Sequence, residues 1–314
     1  MSFSKETKKE MCSAAISGQS QIQALAYGMA LFSRCFSPKV ISLMTESKQA
    51  AELYAETISA LTTTIVDTSV SLTRRRGEQN LYTLSVPDTR DCATIFDYFG
   101  HSEKELSLRI NRSNIDGDEA IPHFLRGVFL VCGNVTDPEK DYHLEFSVPH
   151  MNLASDLIRL IGEIQVFNCQ PKSVRRKGSY IVYIKGSETI SDILTYMGAP
   201  MAALEIVQQR IVKSVRNKAN RQRNSDFANS CKTANAAAKQ IQAINVIRNT
   251  KGLGYLSDQM RELAEMREQN PELSLRELGE SLSIPISRSG VNHRLMKIME
   301  IAAELEEEFK KNDI

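Results

Sequence analysis

Two stretches decide the fold of this chain: AYGMALFSR at residues 26–34 and LRGVFLVCG at residues 125–133. Both consist mostly of small and apolar residues, so each predicts a helix that packs in a core. Each also has glycine at its third position, Gly28 in one and Gly127 in the other. Because glycine has no Cβ, two helix backbones can come close where such residues meet. The pair therefore predicts two helices packed together at these glycines.

The two stretches begin two similar series of elements. In both, the glycine-bearing helix is followed by a strand, a helix, a basic hairpin and a short helix that ends in an aromatic residue, one further residue and glycine. A single series would leave its sheet open and its apolar helix exposed, whereas two can bury both. The shared order predicts a duplicated α/β domain over residues 1–200, with repeats at about 20–100 and 122–198.

Glycines occupy matching places in the two repeats. Gly77 and Gly178 lie in the hairpins, where a tight turn needs a positive φ. Gly100 and Gly198 follow the last helix of each repeat and suit the residue that ends a helix.

Basic residues also recur at matching places, beside both hairpin turns. Two such patches suit the phosphate backbone of a nucleic acid. The alternative is that they are solvated hairpin tips. The candidates for backbone contact are Arg74, Arg75 and Arg76 in the first repeat, and Lys172, Arg175, Arg176 and Lys177 in the second.

A basic segment follows, with ten lysines and arginines and one acid, Asp226, between residues 210 and 251. Apolar spacing predicts one helix around residues 204–215 and a second from Ala234 to Ile247. The excess charge favours an arm that contacts the DNA backbone, and the alternative is a solvated helical linker. We expect a basic linker over residues 201–254, with a hinge and domain boundary at its closing glycines. Its backbone-contact candidates are Arg216, Arg221 and Arg223.

Residues 255–314 predict an all-α helix-turn-helix domain. Its first helix begins after Ser257 and stops at Asn270-Pro271, because proline disfavours helix in the residue before it. Ser274 and Glu277 have the spacing of a capping box that starts the second helix. After the turn SIPISRSG, a third helix is predicted from Val291.

The third helix is the predicted DNA-reading element, because the second helix of such a pair enters the major groove near its N-terminal end. Asparagine can pair with adenine and arginine with guanine. Backbone amides near Ser287 could meet a phosphate. The alternative is a three-helix module that binds protein. Within about residues 274–307 the predicted DNA-binding residues are Ser274, Arg288, Ser289, Asn292, His293, Arg294 and Lys297.

Composition sets limits on the rest of the interpretation. The chain has 314 residues, a net charge of +1 and six scattered cysteines without a C-x-x-C pair. This predicts reduced thiols, no structural metal and no cofactor. No apolar run has the length of a membrane span, and the N-terminus has no apolar signal segment, so we expect a cytoplasmic protein without a membrane partner. His101 and His143 are predicted to lie at the surface, beside a turn or on a strand.

Several long segments resemble the WhiA family of bacterial transcription regulators, over essentially the full chain. The segments are FSKETKKE (3–10), RGVFLVCGNVTDPEKDYHLEF (126–146), RIVKSVRNKANRQRN (210–224), CKTANAAAKQIQAI (231–244) and LSLRELGESLSIPISRSGVNHRL (273–295). The resemblance implies a degenerate LAGLIDADG-type domain joined to a helix-turn-helix. It also implies a nucleoid-associated regulator of cell division, chromosome segregation and, in spore formers, sporulation. Implied partners are double-stranded chromosomal DNA and, beyond DNA, other transcription regulators or RNA polymerase.

In the LAGLIDADG pattern each of the two paired helices carries an acid just before its final glycine, and the two acids hold a metal. Ser33 and Cys132 stand in those places here, and neither is a good magnesium ligand. Asp137 lies beyond the second helix, but Asp137-Pro138 favours a turn and the first repeat has no matching acid. We therefore predict no catalytic residues and no enzyme activity. The alternatives are a structural or ligand-sensing nucleoid protein and an active metal-dependent endonuclease.

Overall fold

The computed structural model describes residues 2–73 and 79–312. They form two compact units, Met1–Ser214 and Val215–Ile314. The N-terminal unit combines helices and strands, and the C-terminal unit is helical. The predicted α+β class is confirmed.

In the N-terminal unit, helix α1 (Phe3–Ser13) precedes two copies of one series of elements. The first copy is α2 (Gln19–Leu31), β1 (Cys35–Phe36), β2 (Ile41–Thr45), α3 (Lys48–Thr62), β3 (Asp67–Thr73), β4 (Gln79–Ser85) and α4 (Thr89–Tyr98). The second is α5 (Ala120–Cys132), β5 (Gly133–Val135), β6 (His143–Val148), α6 (Met151–Glu163), β7 (Lys172–Arg176), β8 (Ser179–Lys185) and α7 (Ser187–Tyr196). The order of elements agrees with the predicted duplication, except that each copy has one additional short strand after its first helix.

Each repeat forms one antiparallel sheet of four strands, in the orders β1-β2-β4-β3 and β5-β6-β8-β7. Alternate residues of the inner strands are buried, as with Leu144, Phe146 and Val148 on β6. The residues between them lie on the opposite side of the sheet, because side chains alternate along a strand. We call that side the open face.

Helices α2 and α5 pack against each other at their glycines. A Cβ on Gly28 would overlap the carbonyl oxygen of Phe124, and a Cβ on Gly127 would overlap the carbonyl oxygen of Leu25. The two contacts are reciprocal. At each glycine, the backbone of the other helix occupies the position that a Cβ would need. The predicted packing of the glycine-bearing helices is confirmed.

The segment between the repeats is tied to α2 by a buried histidine. His101 is 4% exposed, and its Nε2 lies 3.0 Å from the Tyr27 hydroxyl while its Nδ1 lies 3.0 Å from Glu105 Oε2. The same hydroxyl accepts a hydrogen bond from the amide of Asn111 at 2.7 Å. The prediction of His101 at the surface is therefore wrong: one of its polar partners, Tyr27, comes from a distant segment that buries the ring. His143, in contrast, is partly exposed on β6, as predicted.

The basic segment folds as one helix, α8 (Pro200–Thr250), of 51 residues. The sequence predicts two helices here, so the structure differs. Ala203 and Ile206 near its start belong to the N-terminal core, whereas Ile244 and Ile247 near its end belong to the C-terminal core. Residues 201–254 are thus part of both units, and the boundary falls inside the helix rather than at Gly252. Gly252, with φ of 78°, ends the helix instead.

The C-terminal unit continues with α9 (Asp258–Gln269), α10 (Leu275–Ser281) and α11 (Arg288–Asn312). The capping box at Ser274 and Glu277 is present as predicted. Helix α11 begins about one turn before the predicted start at Val291. The core of the C-terminal unit consists of Ile244, Ile247, Leu256, Leu263, Ala264, Leu278, Leu282, Val291, Leu295, Ile298, Ala302 and Leu305.

Candidate nucleic-acid interface

The first turns of α11 present a polar and basic surface. The Ser287 hydroxyl accepts a hydrogen bond from the amide of Gly290 at 3.2 Å, which fixes the start of the helix. Val291, Leu295 and Ile298 point into the core and hold the helix in one orientation. The predicted DNA-binding residues that this orientation leaves exposed are Arg288, Ser289, Asn292, His293 and Lys297.

Two residues of the predicted set serve the protein's own packing. Arg294 is partly buried, and its Nη2 donates to Gln259 Oε1 on α9 at 2.8 Å. The Ser274 hydroxyl is used in the capping box, where it accepts from the Glu277 amide at 3.3 Å. The contact of Ser274 follows from the predicted capping box, whereas that of Arg294 is not indicated by periodicity, because its partner lies on another helix.

Glu262 on α9 forms two hydrogen bonds to the turn before α11. The amide of Ser283 donates to Glu262 Oε1 at 2.6 Å, and its hydroxyl donates to Glu262 Oε2 at 3.0 Å. These hydrogen bonds lower the pKa of the Glu262 carboxyl, so it is ionised at neutral pH. Glu262 and Gln259 were not singled out in the sequence. The structure assigns them the positioning of the turn and of α11.

In the second repeat, the predicted basic patch divides between the two sides of the sheet. Lys172 pairs in register with Tyr183, and Arg176 with Ser179, which places both on the open face. Arg175 pairs with Tyr180 on the other side, and its guanidinium lies 6.0 Å from that ring. Lys177 occupies the hairpin turn with φ of 48°. Two of the four residues thus share the open face.

The same open face has a cation that the sequence analysis missed. Lys185 pairs in register with His143, and its Nζ lies 5.8 Å from the Tyr183 ring. The sequence contained the signal for this placement. Side chains alternate along a strand, and Lys185 directly follows the buried Ile184 on β8, so it is expected on the opposite side of the sheet. Lys172, Arg176 and Lys185 form what we call the cationic face.

The open face of the first repeat is different in its described residues. Register and alternation place there Cys35, Ser42, Met44, Asp67, Ser69, Ser71, Leu81, Thr83 and Ser85. These are mostly small hydroxyl side chains with one acid, and the Arg34 guanidinium contacts Met44 on that side. The predicted contacts Arg74, Arg75 and Arg76 lie outside the described residues.

The basic candidates on α8 are all exposed. Arg216, Arg221 and Arg223 lie in a stretch, residues 214–236, in which every residue is exposed. Arg223 Nη2 donates to Asn220 Oδ1 at 3.4 Å on the same helix. The guanidiniums of this stretch are accessible to a phosphate backbone.

The two degenerate acid positions are both neutral. Ser33 is 4% exposed, and its hydroxyl donates to the carbonyl oxygen of Cys35 at 3.1 Å. Burial raises the pKa of the Cys132 thiol to about 12, so it is protonated at neutral pH. A buried hydroxyl and a protonated thiol offer a divalent cation no charge.

A lysine from α1 lies beside the second of these positions. Lys8 Nζ donates to the carbonyl oxygen of Leu130 at 3.1 Å, near the C-terminal end of α5. A cation there interacts favourably with the helix dipole, while burial lowers the pKa of this amine. Sequence reasoning missed Lys8, because nothing local connects α1 with a helix end more than one hundred residues later.

In the part of the chain that the structure describes, no three His, Cys, Asp or Glu side chains come together as a metal site requires. Over the same residues, no helix combines the length and apolarity that a membrane crossing needs.

Comparison with known proteins identifies the family. Residues 121–216 match the family model of the WhiA LAGLIDADG-like domain, and residues 219–302 match that of the WhiA C-terminal HTH domain. The "Probable cell division protein WhiA" of Thermoanaerobacter pseudethanolicus is 36% identical over 98% of this chain and 99% of its own length. This chain belongs to the WhiA family. The protein of the same name from Clostridium perfringens is 37% identical over 97% of this chain and 98% of its own.

A solved structure supports the fold over the same extent. The crystal structure of full-length DUF199/WhiA from Thermatoga maritima covers 97% of this chain and 99% of its own, with a TM-score of 0.58 and 23% identity. This chain therefore has the LAGLIDADG-like and helix-turn-helix regions that are expected of a WhiA-family protein. The first repeat, at about residues 20–100, lies before the matched range 121–216 and is identified by its sheet topology.

Proposed function

We propose that this WhiA-family chain is a sequence-specific, double-stranded DNA-binding transcription regulator. The observation that carries the proposal is the start of α11, where Arg288, Asn292 and His293 are exposed on a helix held by a packed three-helix core. Such a helix can place asparagine and arginine against base edges in the major groove. Arg294, turned toward α9, acts as a positioning residue.

The cationic face and the exposed part of α8 supply contacts to the DNA backbone in this proposal. Backbone contacts add affinity without sequence preference and make binding depend on salt. Lys172, Arg176 and Lys185 provide them in the second repeat, and Arg216, Arg221 and Arg223 on α8.

The proposal includes loss of nuclease activity. Hydrolysis of a phosphodiester by a metal ion needs charged oxygen ligands to hold the metal and activate water. The positions where a LAGLIDADG pair would supply them carry a buried serine and a protonated cysteine, with the Lys8 amine beside the latter. The Lys8 amine, which donates to the Leu130 carbonyl, offers a divalent cation no charged oxygen ligand.

The biological role follows from the relatives' name, which refers to cell division. We propose a role in cell division and chromosome segregation and, where the source organism forms spores, in sporulation, exerted at the chromosome. The proposed partners beyond DNA are other transcription regulators or RNA polymerase, which a bound regulator must influence to change transcription.

The test compares one base-reading residue with a control on the same helix. A duplex selected by the full-length chain from a random-sequence library is compared with a base-shuffled version by fluorescence anisotropy. Asn292→Ala should weaken binding to the selected duplex by about 1–3 kcal/mol and leave the shuffled duplex unchanged. Glu304→Gln, exposed later on α11, should leave the preference for the selected duplex unchanged.

Two results would contradict the proposal. One is equal affinity of the wild-type chain for selected and shuffled duplexes. The other is an unchanged preference in both Asn292→Ala and Arg288→Ala.

A further inference from the structure

The exposed middle of α8 carries four asparagines on one side, three of them close together and the fourth, Asn235, five turns after the first. Asn217, Asn220 and Asn224 lie within about 60° of one another around the axis, at 3.6 residues per turn. All three are exposed, as is every residue from 214 to 236. We call these three residues the asparagine stripe. Two small residues, Ala228 and Cys231, extend it, so no bulky side chain blocks a close approach there.

The asparagine stripe is not required by the helix or by the C-terminal core, and its one hydrogen bond within the helix is from Arg223 Nη2 to Asn220 Oδ1 at 3.4 Å. Asparagine is a poor helix former, so three of them in an exposed helix weaken it. The side of α8 that packs into the C-terminal core is defined by Ile244 and Ile247, which lie about half a turn away from the stripe. The stripe continues the side of α8 on which Ala202 and Ile206 pack in the N-terminal core. Its own side chains are exposed and accessible to another molecule.

Charges are arranged around the asparagine stripe in a regular way. At the same helical spacing, Arg216 and Arg223 lie on one side of it and Arg221 on the other. Asp226, the single acid between residues 210 and 251, is on the opposite side of the helix. When a helix lies in a major groove, the middle of its inner side faces base edges and each border of that side faces a row of phosphates. The amides and the cations of α8 have that distribution.

The chemistry and the length both fit adenine. The asparagine amide donates and accepts, so it can pair bidentately with adenine N6 and N7. Asn217 and Asn224 are about 10 Å apart along the axis at 1.5 Å per residue, which is roughly three base pairs at 3.4 Å each. Phe227, 72% exposed at the border of the stripe, is placed to contact a thymine methyl group.

We propose that the asparagine stripe of α8 is a second base-reading element, which recognises a short adenine- and thymine-containing block in a major groove. This rests on the proposed function, since α11 reads its own bases. It changes the role of α8 from a backbone contact to a source of sequence preference.

The experiment measures specificity and salt dependence separately. The variant Asn217→Ala/Asn220→Ala/Asn224→Ala keeps a helix, because alanine is a better helix former than asparagine, and circular dichroism checks this. Full-length wild type and variant each select duplexes from the same random-sequence library. Affinities for the wild-type-selected duplex and its shuffled version are then measured over a range of salt concentrations.

We expect the variant to lose about tenfold or more of its preference for the selected duplex, at an unchanged salt slope. Its own selected sequences should keep the block read by α11 and lack an A·T-containing block. Arg216→Ala/Arg223→Ala should instead weaken both duplexes alike and flatten the slope by about two. Asn229→Ala, on the other side of the helix, is the matched control and should behave as wild type.

Two results would overturn this inference and leave the proposed function standing. If the triple variant keeps the wild-type preference while Asn292→Ala loses it, the regulator proposal stands and α8 does not read bases. If the triple variant loses affinity for both duplexes equally with a flatter slope, α8 contacts only the backbone. A wild type without any preference would sink the proposed function and this inference together.

Discussion

The two repeats of the N-terminal unit have the same sheet order but different open faces. The second carries Lys172, Arg176 and Lys185 beside one acid, Glu145. The described strand residues of the first carry hydroxyl and apolar side chains and Asp67 but no lysine or arginine, although Arg34 contacts Met44 there. The packing of α2 on α5 is, in contrast, reciprocal down to the glycines. Packing imposes the same requirement on both copies, so the shared seam is kept. Ligand contact imposes no such symmetry, and the open faces differ.

The seam should give the largest effect. A Cβ at residue 127 overlaps a main-chain carbonyl of α2, which cannot move without displacing the helix. We expect Gly127→Ala to lower the free energy of unfolding by about 3 kcal/mol, and Gly28→Ala by a similar amount. Urea denaturation of the full chain measures both.

Gly162 is the matched control, since it lies in the last turn of α6, where an added Cβ makes only an ordinary contact. Gly162→Ala should raise stability by about 0.5–1 kcal/mol, because alanine is favoured over glycine within a helix. Little loss in both seam variants would mean that the repeats are not held together as described.

The open faces should give the next effect. Lys172→Ala/Arg176→Ala should weaken binding to selected and shuffled duplexes alike, by about 2 kcal/mol near 0.1 M salt, and flatten the salt slope by about two. Anisotropy titrations over a range of salt concentrations measure this. The matched variant Ser42→Ala/Ser69→Ala in the first repeat should leave the slope unchanged.

Arg175→Ala provides a second control, since that guanidinium lies on the other side of the sheet from the cationic face. If Arg175→Ala changed the salt slope as much as Lys172→Ala/Arg176→Ala does, the side of the sheet on which a cation lies would not determine whether it contacts DNA.

The smallest effect concerns the two degenerate acid positions. The pKa of Cys132 is raised from its ordinary 9.0 to about 12 in the folded chain. The folded thiol thus keeps its proton where the unfolded thiol loses it, so its contribution to stability is complete below about pH 9 and is lost as the pH rises toward 12. Relative to Cys132→Ser, wild type should lose about 1 kcal/mol between pH 8 and pH 10.

Urea denaturation of both proteins at the two pH values measures this difference. Ser33→Ala, at the equivalent position of the first repeat, should show no such change relative to wild type, because a serine hydroxyl does not titrate there. A pH-independent difference between wild type and Cys132→Ser would mean that the thiol is accessible to water.

Local patterns were enough for the duplication, the glycine seam and the capping box at Ser274. All three depend on residue spacing along short segments, and spacing determines which residues share a face. The same reasoning placed Asn292 and His293 on the exposed side of α11, because Val291 and Leu295 fix the buried side.

The remaining features depend on contacts between distant segments. Arg294 has the spacing of an exposed residue, yet Gln259 on α9 binds it. Lys8 reaches the end of α5, and His101 reaches Tyr27, through folding that no local pattern encodes. Helix α8 was predicted as two helices because its apolar spacing occurs in two separate stretches, around residues 204–215 and from Ala234 to Ile247, although nothing in it stops a helix before Gly252.

The most direct test of the central claim follows binding and cleavage in one sample. The full-length chain is incubated with its selected duplex and with the shuffled duplex in the presence of Mg²⁺. Anisotropy reports retention, and a denaturing gel reports strand integrity. The account predicts tighter retention of the selected duplex with both strands intact. Equal retention of the two duplexes, or Mg²⁺-dependent cleavage of the selected one, would contradict it.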